Sequence, residues 1–336
     1  MIQLSLTDVQ TKRMQLLHSI LIETPDFREV YDAAAQAMAT AGMASEPSCL
    51  LTIGLSGSGK STVAKSLIDR NAPTETITGR ELPVLFVDVP AAASANGLAI
   101  AMLSALGDPA YDRGSVAVKS QRLYKLLQQC QVKLIILDEF HHLIDEDQSK
   151  VLKTSADWLK TLINQSKIPV FLLGIERSRI IFDVNEQLRR RFSRIIKLAP
   201  YKWRDEASRL EFRKLLKAIS MVLPFDTPPE LSNATMAFTL YQSSSGLIGH
   251  IMRLLRTASE AAILNNESSL STNRLAAAYQ DVVAELQPAN ASGSRPNPFT
   301  DPNLANRSPI EPGSLSEISS TSLPKNAKIG HILSTR

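Results

Sequence analysis

"LLTIGLSGSGKSTVAKSLI", Leu50 to Ile68, sets an apolar run, a glycine-rich turn and a helical pattern in direct succession. Within it, Gly54-Leu55-Ser56-Gly57-Ser58-Gly59-Lys60-Ser61 satisfies G-x-x-x-x-G-K-[ST], in the strand, loop and helix order that the motif needs. The spelling follows from chemistry. Gly54, Gly57 and Gly59, with the small Ser56 and Ser58 between them, let backbone N–H groups converge on phosphate oxygens. The N-terminus of the following helix adds a favourable dipole. Lys60 reaches the β- and γ-phosphates, the Ser61 hydroxyl sits on Mg²⁺, and Thr62 belongs to the same nucleotide-binding set. ATP with Mg²⁺ is the expected ligand.

Outward from this loop the texture alternates. "CLLTIGL", "LPVLFVDV", "VKLIILDEF" and "IPVFLLGI" are short apolar runs rich in branched residues, each followed by a helix-length segment. Such runs argue for a parallel sheet covered on both faces. A fifth, weaker run, "SRIIKLAPY", follows an arginine cluster near Arg190. Before the sheet, residues 1–45 read as helical, with "PDFREVYDAAAQAMATAG" placing Gly42 where a C-terminal cap would sit. After about residue 204, four helical patterns remain and no strand. The expected fold class is therefore α/β, a P-loop NTPase sheet core over residues 46–203 with a small helical lid subdomain over 204–286. From Gln287 to the end, Pro, Ser and Asn dominate and apolar periodicity vanishes, which predicts a disordered tail over 287–336. "NPF" and "GHIL" in that tail are candidate docking motifs.

Bulk properties exclude little, but they exclude it cleanly. The 336 residues carry a formal charge of +4, a pI near 9.0, 44% hydrophobic and 21% charged residues, an ordinary soluble composition with a mild basic excess. Two cysteines without CxxC spacing predict neither a disulfide framework nor a zinc site. No apolar run approaches the roughly 20 residues of a spanning helix, and the N-terminus lacks signal-peptide order. The expectation is a cytoplasmic chain with no membrane partner.

"VKLIILDEFHH" ends a buried strand in Asp138-Glu139. Ligands bind at the carboxyl edge of parallel sheets, so this pair is expected beside the phosphate loop. Asp138 would hold Mg²⁺, and Glu139 would polarise the attacking water. A kinase must exclude water, whereas a carboxylate next to the metal ligand suits its activation, so an ATPase is the better reading. "NEQLRRRF" places Arg189, Arg190 and Arg191 before Phe192, and an arginine that stabilises phosphoryl-transfer charge is often supplied by a neighbouring subunit. In "GIERS", Glu176 is the polar candidate for a γ-phosphate contact, since Ile175 lacks the chemistry. His141 and His142 read as surface or packing residues rather than metal ligands.

The order of these motifs, followed by "SSSGLIGHIMRLLRTASEAAI", resembles the TniB/TnsC family of AAA+ ATPases, over roughly residues 10 to 285. The most particular features are "DE-x-H", "Q-L-x-x-R-F" and a late "G-x-I-G-x-I". The resemblance implies a regulator of DNA transposition in Tn7-like elements. Such a protein hydrolyses ATP, forms homo-oligomeric rings or filaments on duplex DNA, and connects a target-selection protein (a TniQ/TnsD-type factor or a CRISPR effector) to the transposase. It also implies Arg191 as the first finger candidate and Arg190 as the second. Gly249 and His250 stand where the sensor-2 arginine is expected, with Arg253 one turn on.

For DNA, the resemblance points to "YDRGSVAVKSQRLYKLL", with Arg113, Ser115, Lys119 and Arg122 as backbone contacts. Such contacts are sequence-neutral and salt-dependent. The competing reading of the stretch is an amphipathic helix with a solvated basic face. At the level of function, the alternatives are a replication initiator or loader of the same architecture, and a nucleotide switch with little turnover.

Overall fold

The structure is a computed structural model and describes residues 6–43, 46–77, 79–91, 94–143, 149–282 and 296–314. The chain divides into two units: Glu23–Ala199, and Met1–Ile22 together with Pro200–Arg336. Of the two N-terminal helices, α1 (Asp8–Ser19) belongs to the second unit and α2 (Pro25–Ala39) to the first.

In the first unit, β1 (Cys49–Gly54) runs through the phosphate loop into α3 (Lys60–Arg70). A small hairpin follows, β2 (Thr74–Thr76) and β3 (Gly79–Glu81), and then β4 (Val84–Asp88), α4 (Ala95–Ala105) and α5 (Val116–Gln129). The unit continues with β5 (Leu134–Asp138), α6 (Ser149–Ser166), β6 (Val170–Gly174), the short α7 (Ile180–Val184) and α8 (Glu186–Arg189), and β7 (Phe192–Leu198). Five strands form one parallel sheet in the order β4-β5-β6-β1-β7. The four strong apolar runs and the weaker fifth are these five strands.

Alternation along the strands divides the core in two. Leu51, Ile53, Leu85, Val87, Ile135, Leu137 and Leu172 face one apolar cluster, which Leu98, Met102, Leu123, Leu159 and Ile163 of α4, α5 and α6 complete. Leu50, Val84, Leu134, Ile136, Phe171, Leu173 and Ile196 face the other, completed by Val30 and Ala34 of α2 and Val63 and Leu67 of α3. Burial on both faces is why these strands are apolar throughout. Cys49 opens β1 inside the first cluster; its sulfur accepts from Val170 N–H at 3.3 Å, and burial pushes its thiol up to about 12.

The chain leaves β1 for the far edge of the sheet, returns stepwise through β4, β5 and β6, and finishes with β7 on β1's other side. The carboxyl ends of β1, β6 and β5 therefore converge where the winding reverses, the place where such sheets bind ligands.

The second unit is helical. It contains α1, α9 (Glu206–Val222), α10 (Ala234–Ser244), α11 (Ile248–Leu264) and α12 (Thr272–Val282) around Leu17, Trp203, Phe212, Leu216, Tyr241, Leu255 and Tyr279. Thr7 and Gln10 form a capping box at the start of α1, and the Gln10 amide also donates to Leu264 O at 3.1 Å, satisfying a free carbonyl at the end of α11. Gly246, between α10 and α11, has φ +76, and a Cβ there would lie 2.1 Å from Tyr201 O.

Residues 296–314 fall inside the stretch whose composition predicted no fixed structure, yet they pack on this unit. The Gln242 side chain donates to Ser308 O at 2.8 Å and accepts from Ile310 N–H at 3.2 Å. Leu304 is buried, and Phe299 meets the Tyr279 ring at 6.1 Å. Asn297 of the "NPF" motif is buried, its amide donating to Ala276 O at 2.7 Å, so that motif is turned into its own fold. Its anchors are spaced irregularly, which leaves no periodic signature. "GHIL" and the rest of the tail lie outside the described residues. Among the described residues no helix is long and apolar enough to cross a membrane.

Candidate functional site

The phosphate loop is built around close backbone approach. A Cβ on Gly54 would lie 2.4 Å from Ser58 Oγ and 2.8 Å from Leu198 O, so only glycine fits the end of β1. Gly57 (φ +79) and Gly59 (φ +100) take the left-handed conformations that glycine allows and that curve the loop. Gly59 is the N-cap of α3, and the first bonds to its carbonyl come from Thr62 and Val63 N–H at 3.1 and 3.2 Å. The N–H groups of Lys60 and Ser61 precede those bonds and belong to the unpaired set at a helix start. Ser56 and Ser58 lie within the same curve, where Ser58 N–H donates to Leu55 O at 3.1 Å.

Three side chains of the predicted set come together here. Lys60 is buried, and its ammonium donates to Gly54 O at 2.8 Å and Leu55 O at 3.0 Å, which holds its charge inside the loop. Burial pushes its pKa below the ordinary lysine value, while the Glu139 and Asp138 carboxylates act in the opposite direction. Ser61 Oγ donates to Asp138 Oδ2 at 2.6 Å, and Asp138 Oδ1 accepts from Glu139 N–H at 2.8 Å. Oδ2 of Asp138 thus reaches across β6 to the start of α3, while Oδ1 is held by the next backbone N–H. A hydroxyl against a carboxylate, beside a curve of N–H donors and a buried lysine, is the donor set that a nucleotide's Mg²⁺ and phosphates take. The residues fit Mg·ATP: Ser61 and Asp138 would hold the metal, and Lys60 and the loop the phosphates.

Glu139 has φ +51, a left-handed conformation uncommon for a non-glycine residue, and it is half exposed. Its Oε2 meets His141 Nδ1 at 3.1 Å. His141 and His142 lie in a 3-10 turn, Phe140–Leu143, with His142 Nδ1 on Val89 O at 2.9 Å. The contact with Glu139 gives His141 a specific neighbour that sequence spacing did not disclose. Asp88, the last residue of β4, lies opposite Asp138 in the ladder and is exposed. Directly after β6, Ile175 caps the turn Glu176–Arg179, and Glu176 is engaged by Arg179 at 2.9 Å and Lys197 at 3.4 Å.

The arginines lie elsewhere. Phe192 pairs with Cys49 at the start of β1, so Arg190 and Arg191 sit at the amino edge of the sheet. Gly54 lies five residues along β1 from Cys49, a span of about 16–17 Å. Arg191 is 16% exposed and paired with Glu46 at 3.0 Å, whereas Arg190 is 74% exposed and, among the described residues, paired with Glu186 at 2.9 Å, four residues away and itself exposed. The two arginines differ in availability, in the reverse of the order expected from the motif.

The four DNA candidates do not share one solvent face. Arg113 is exposed, but Ser115 is the N-cap of α5 and accepts from Val118 N–H. Lys119 is 4% exposed, with its ammonium on Asn96 Oδ1 at 2.9 Å. Arg122 is paired with Asp108 at 2.9 Å and with the Ala110 carbonyl. A lysine or arginine in an amphipathic pattern reads as solvated; here α4 and the 108–110 turn cover two of them. In the helical unit, burial and the neighbouring Arg253 push the His250 pKa below its usual value. Arg253 itself is exposed.

Solved structures share this fold. The Aeropyrum pernix ORC1 protein, in complex with DNA, is similar at a TM-score of 0.56 and 18% identity, over 81% of this chain and 70% of that one. The ORC2 protein of the same organism, solved as ADPNP-ADP complexes, gives 0.55 and 15% over 82% and 70%. Cdc6p from Pyrobaculum aerophilum gives 0.55 and 12% over 80% and 70%. At these identities the likeness is one of fold, and it agrees with the α/β P-loop NTPase architecture. No curated protein matches the chain in sequence. The family model for the bacterial TniB protein matches residues 13–203, more than half of the chain and the whole of the phosphate-site machinery, and the chain belongs to that family.

Proposed function

We propose that this chain is an ATP-dependent regulator of DNA transposition. It binds and hydrolyses ATP with Mg²⁺, assembles on duplex DNA, and connects a target-selection factor to the transposase. The observation that carries the catalytic part is the convergence of Lys60, Ser61 and Asp138 at one sheet edge, with Glu139 the next residue along the chain. In this reading Glu139 accepts the proton of the attacking water, and Lys60 and the loop N–H groups steady the phosphates. Membership in the TniB family supports the transposition part.

The exposure of Arg190 at the amino edge supports a shared site, in which one subunit supplies an arginine to the next. Arg190 is then the first finger candidate, and Arg191 the second. DNA contact falls to Arg113 and the backbone around Ser115, with Lys119 and Arg122 shaping the segment behind them. The test is phosphate release by the unaltered chain and by Glu139→Gln, with and without duplex DNA. Turnover that is lost in the Gln variant is expected; equal rates would remove Glu139 from the hydrolytic step, and no phosphate release from the unaltered chain would leave a nucleotide switch. The likeness in fold to ORC1 solved with DNA supports a second reading, an initiator or loader. Binding to a transposase separates the two.

A further inference from the structure

The described segment 296–314 lies in a groove of the helical unit that reads its main chain. Gln242, itself buried, does most of the reading: its amide donates to Ser308 O at 2.8 Å, and its side-chain oxygen accepts from Ile310 N–H at 3.2 Å. One glutamine thus pairs with the segment much as a neighbouring strand would. The buried Tyr241 hydroxyl donates to Ile310 O at 3.2 Å, and Gly313 N–H donates to Ser245 O at 2.8 Å. These bonds all go to main-chain atoms of the segment. Side-chain choice falls to Phe299 and Ile310, which pack against the apolar core of the unit, while Ser308 and Pro309 are exposed.

The tether is longer than this docking requires. The Asn297 amide donates to Ala276 O at 2.7 Å, and Ala276 lies six residues, about 9 Å, before the end of α12 at Val282. The chain has only to come back along that helix. Residues 283–295 supply thirteen residues for the return, which reach up to about 45 Å, and roughly half of them would close the gap. A compact unit of roughly 100 residues has a radius of gyration of about 13 Å, so two such units in contact have centres about 35 Å apart. The tether therefore reaches the same groove on an adjoining copy.

We propose that the groove lined by Tyr241, Gln242 and Ser245 is a docking site for segment 296–314 of a second copy of this chain, and that tails exchange between neighbours when chains assemble. This rests on the assembly on DNA proposed above. The exchange leaves every contact in the groove unchanged, because the incoming segment is identical to the one it replaces, and so it requires no second surface. Effective concentration decides which tail occupies a groove. In a single chain that is its own tail; once a neighbour lies within reach, either tail competes. Each exchanged tail links two chains through its bonds to Gln242, Tyr241 and Ser245.

Two full-length variants test it by complementation. Gln242→Leu spoils the groove and keeps the tail; Ile310→Asp keeps the groove and spoils the tail. Hydrogen exchange in the unaltered chain is expected to show protection at Ile310 and Gly313. In Gln242→Leu alone, peptides covering 304–314 are expected to exchange faster by roughly tenfold or more. Mixing the two variants with duplex DNA and a non-hydrolysable ATP analogue is expected to restore protection to the peptide that carries Ile310, whose mass identifies its chain of origin. Light scattering reports assembly in the same samples. A fluorescein-labelled peptide of residues 296–314 is expected to bind Ile310→Asp chains roughly tenfold or more tighter than unaltered chains, whose grooves are filled. That arm does not need the Gln242→Leu chain to fold. Assembly without recovered protection would overturn the exchange alone. Absence of assembly would overturn the assembly reading, and this inference with it. Rapid exchange at Ile310 and Gly313 in the unaltered chain, or no peptide binding to Ile310→Asp, would overturn the docking site itself.

Discussion

At the scale of single residues, the phosphate loop is a set of close contacts with little slack. The wall beyond Gly54 is partly backbone, Leu198 O, which cannot rotate away as a side chain can. Gly54→Ala is therefore expected to cost about 1–3 kcal/mol of stability and to weaken nucleotide binding, measurable by denaturant melts and analogue titration. Lys60 gives a prediction with a sign. Its pKa in the free protein is lowered, chiefly by burial, and phosphate oxygens would raise it again on binding. Binding then takes up protons once the pH exceeds the lowered value. Affinity is expected to be flat below that value and to fall as pH rises from it toward the ordinary lysine value. Calorimetry in buffers of different ionisation enthalpy reads the proton directly; an uptake of zero throughout that window would contradict it. The residues of the loop were legible because phosphate chemistry prescribes their spelling. The His141 contact was not, because it depends on a left-handed backbone at Glu139 that no spacing announces.

At the scale of elements, legibility followed burial. The parallel strands could be read because both of their faces are covered and each position is apolar. The hairpin β2–β3 left no such trace, since its residues are almost all exposed and "TETITGRE" shows no alternation. Helix α5 shows the limit most clearly: Lys119 reads as solvated from its pattern, yet α4 covers it. Arg113 is then the DNA candidate left with an open side chain. Arg113→Ala is expected to weaken binding to any duplex sequence about equally and to reduce the salt slope by about 1, whereas Lys119→Ala is expected to lower stability first. A sequence-dependent loss at Arg113 would contradict this. In the helical unit, the junction of α10 and α11 is pinned by backbone approach, with Tyr201 N–H donating to Gly246 O at 2.9 Å. Gly246→Ala places a Cβ on Tyr201 O at positive φ, with an expected loss of about 2 kcal/mol or more in thermal or denaturant unfolding.

At the scale of the whole molecule, the unequal arginines say how subunits would cooperate. Arg191 holds Glu46 and its carbonyl accepts from Cys49 N–H, so its substitution disturbs the start of β1. Among the described residues Arg190 makes an exposed pair of the kind worth little, which leaves it available to a neighbour. Arg190→Ala is expected to retain nucleotide affinity and lose turnover by roughly a hundredfold or more. Mixing it with Glu139→Gln chains is expected to restore part of the rate, because sites with one intact glutamate and one intact arginine then form. No recovery on mixing would mean that each chain completes its own site.

In the proposed function, nucleotide governs the assembly of this chain on DNA. Electron microscopy of the protein with duplex DNA, with and without a non-hydrolysable ATP analogue, tests it most directly. Rings or filaments along the DNA that form only with the analogue are the expected result. Single chains on bare DNA in both conditions would contradict it.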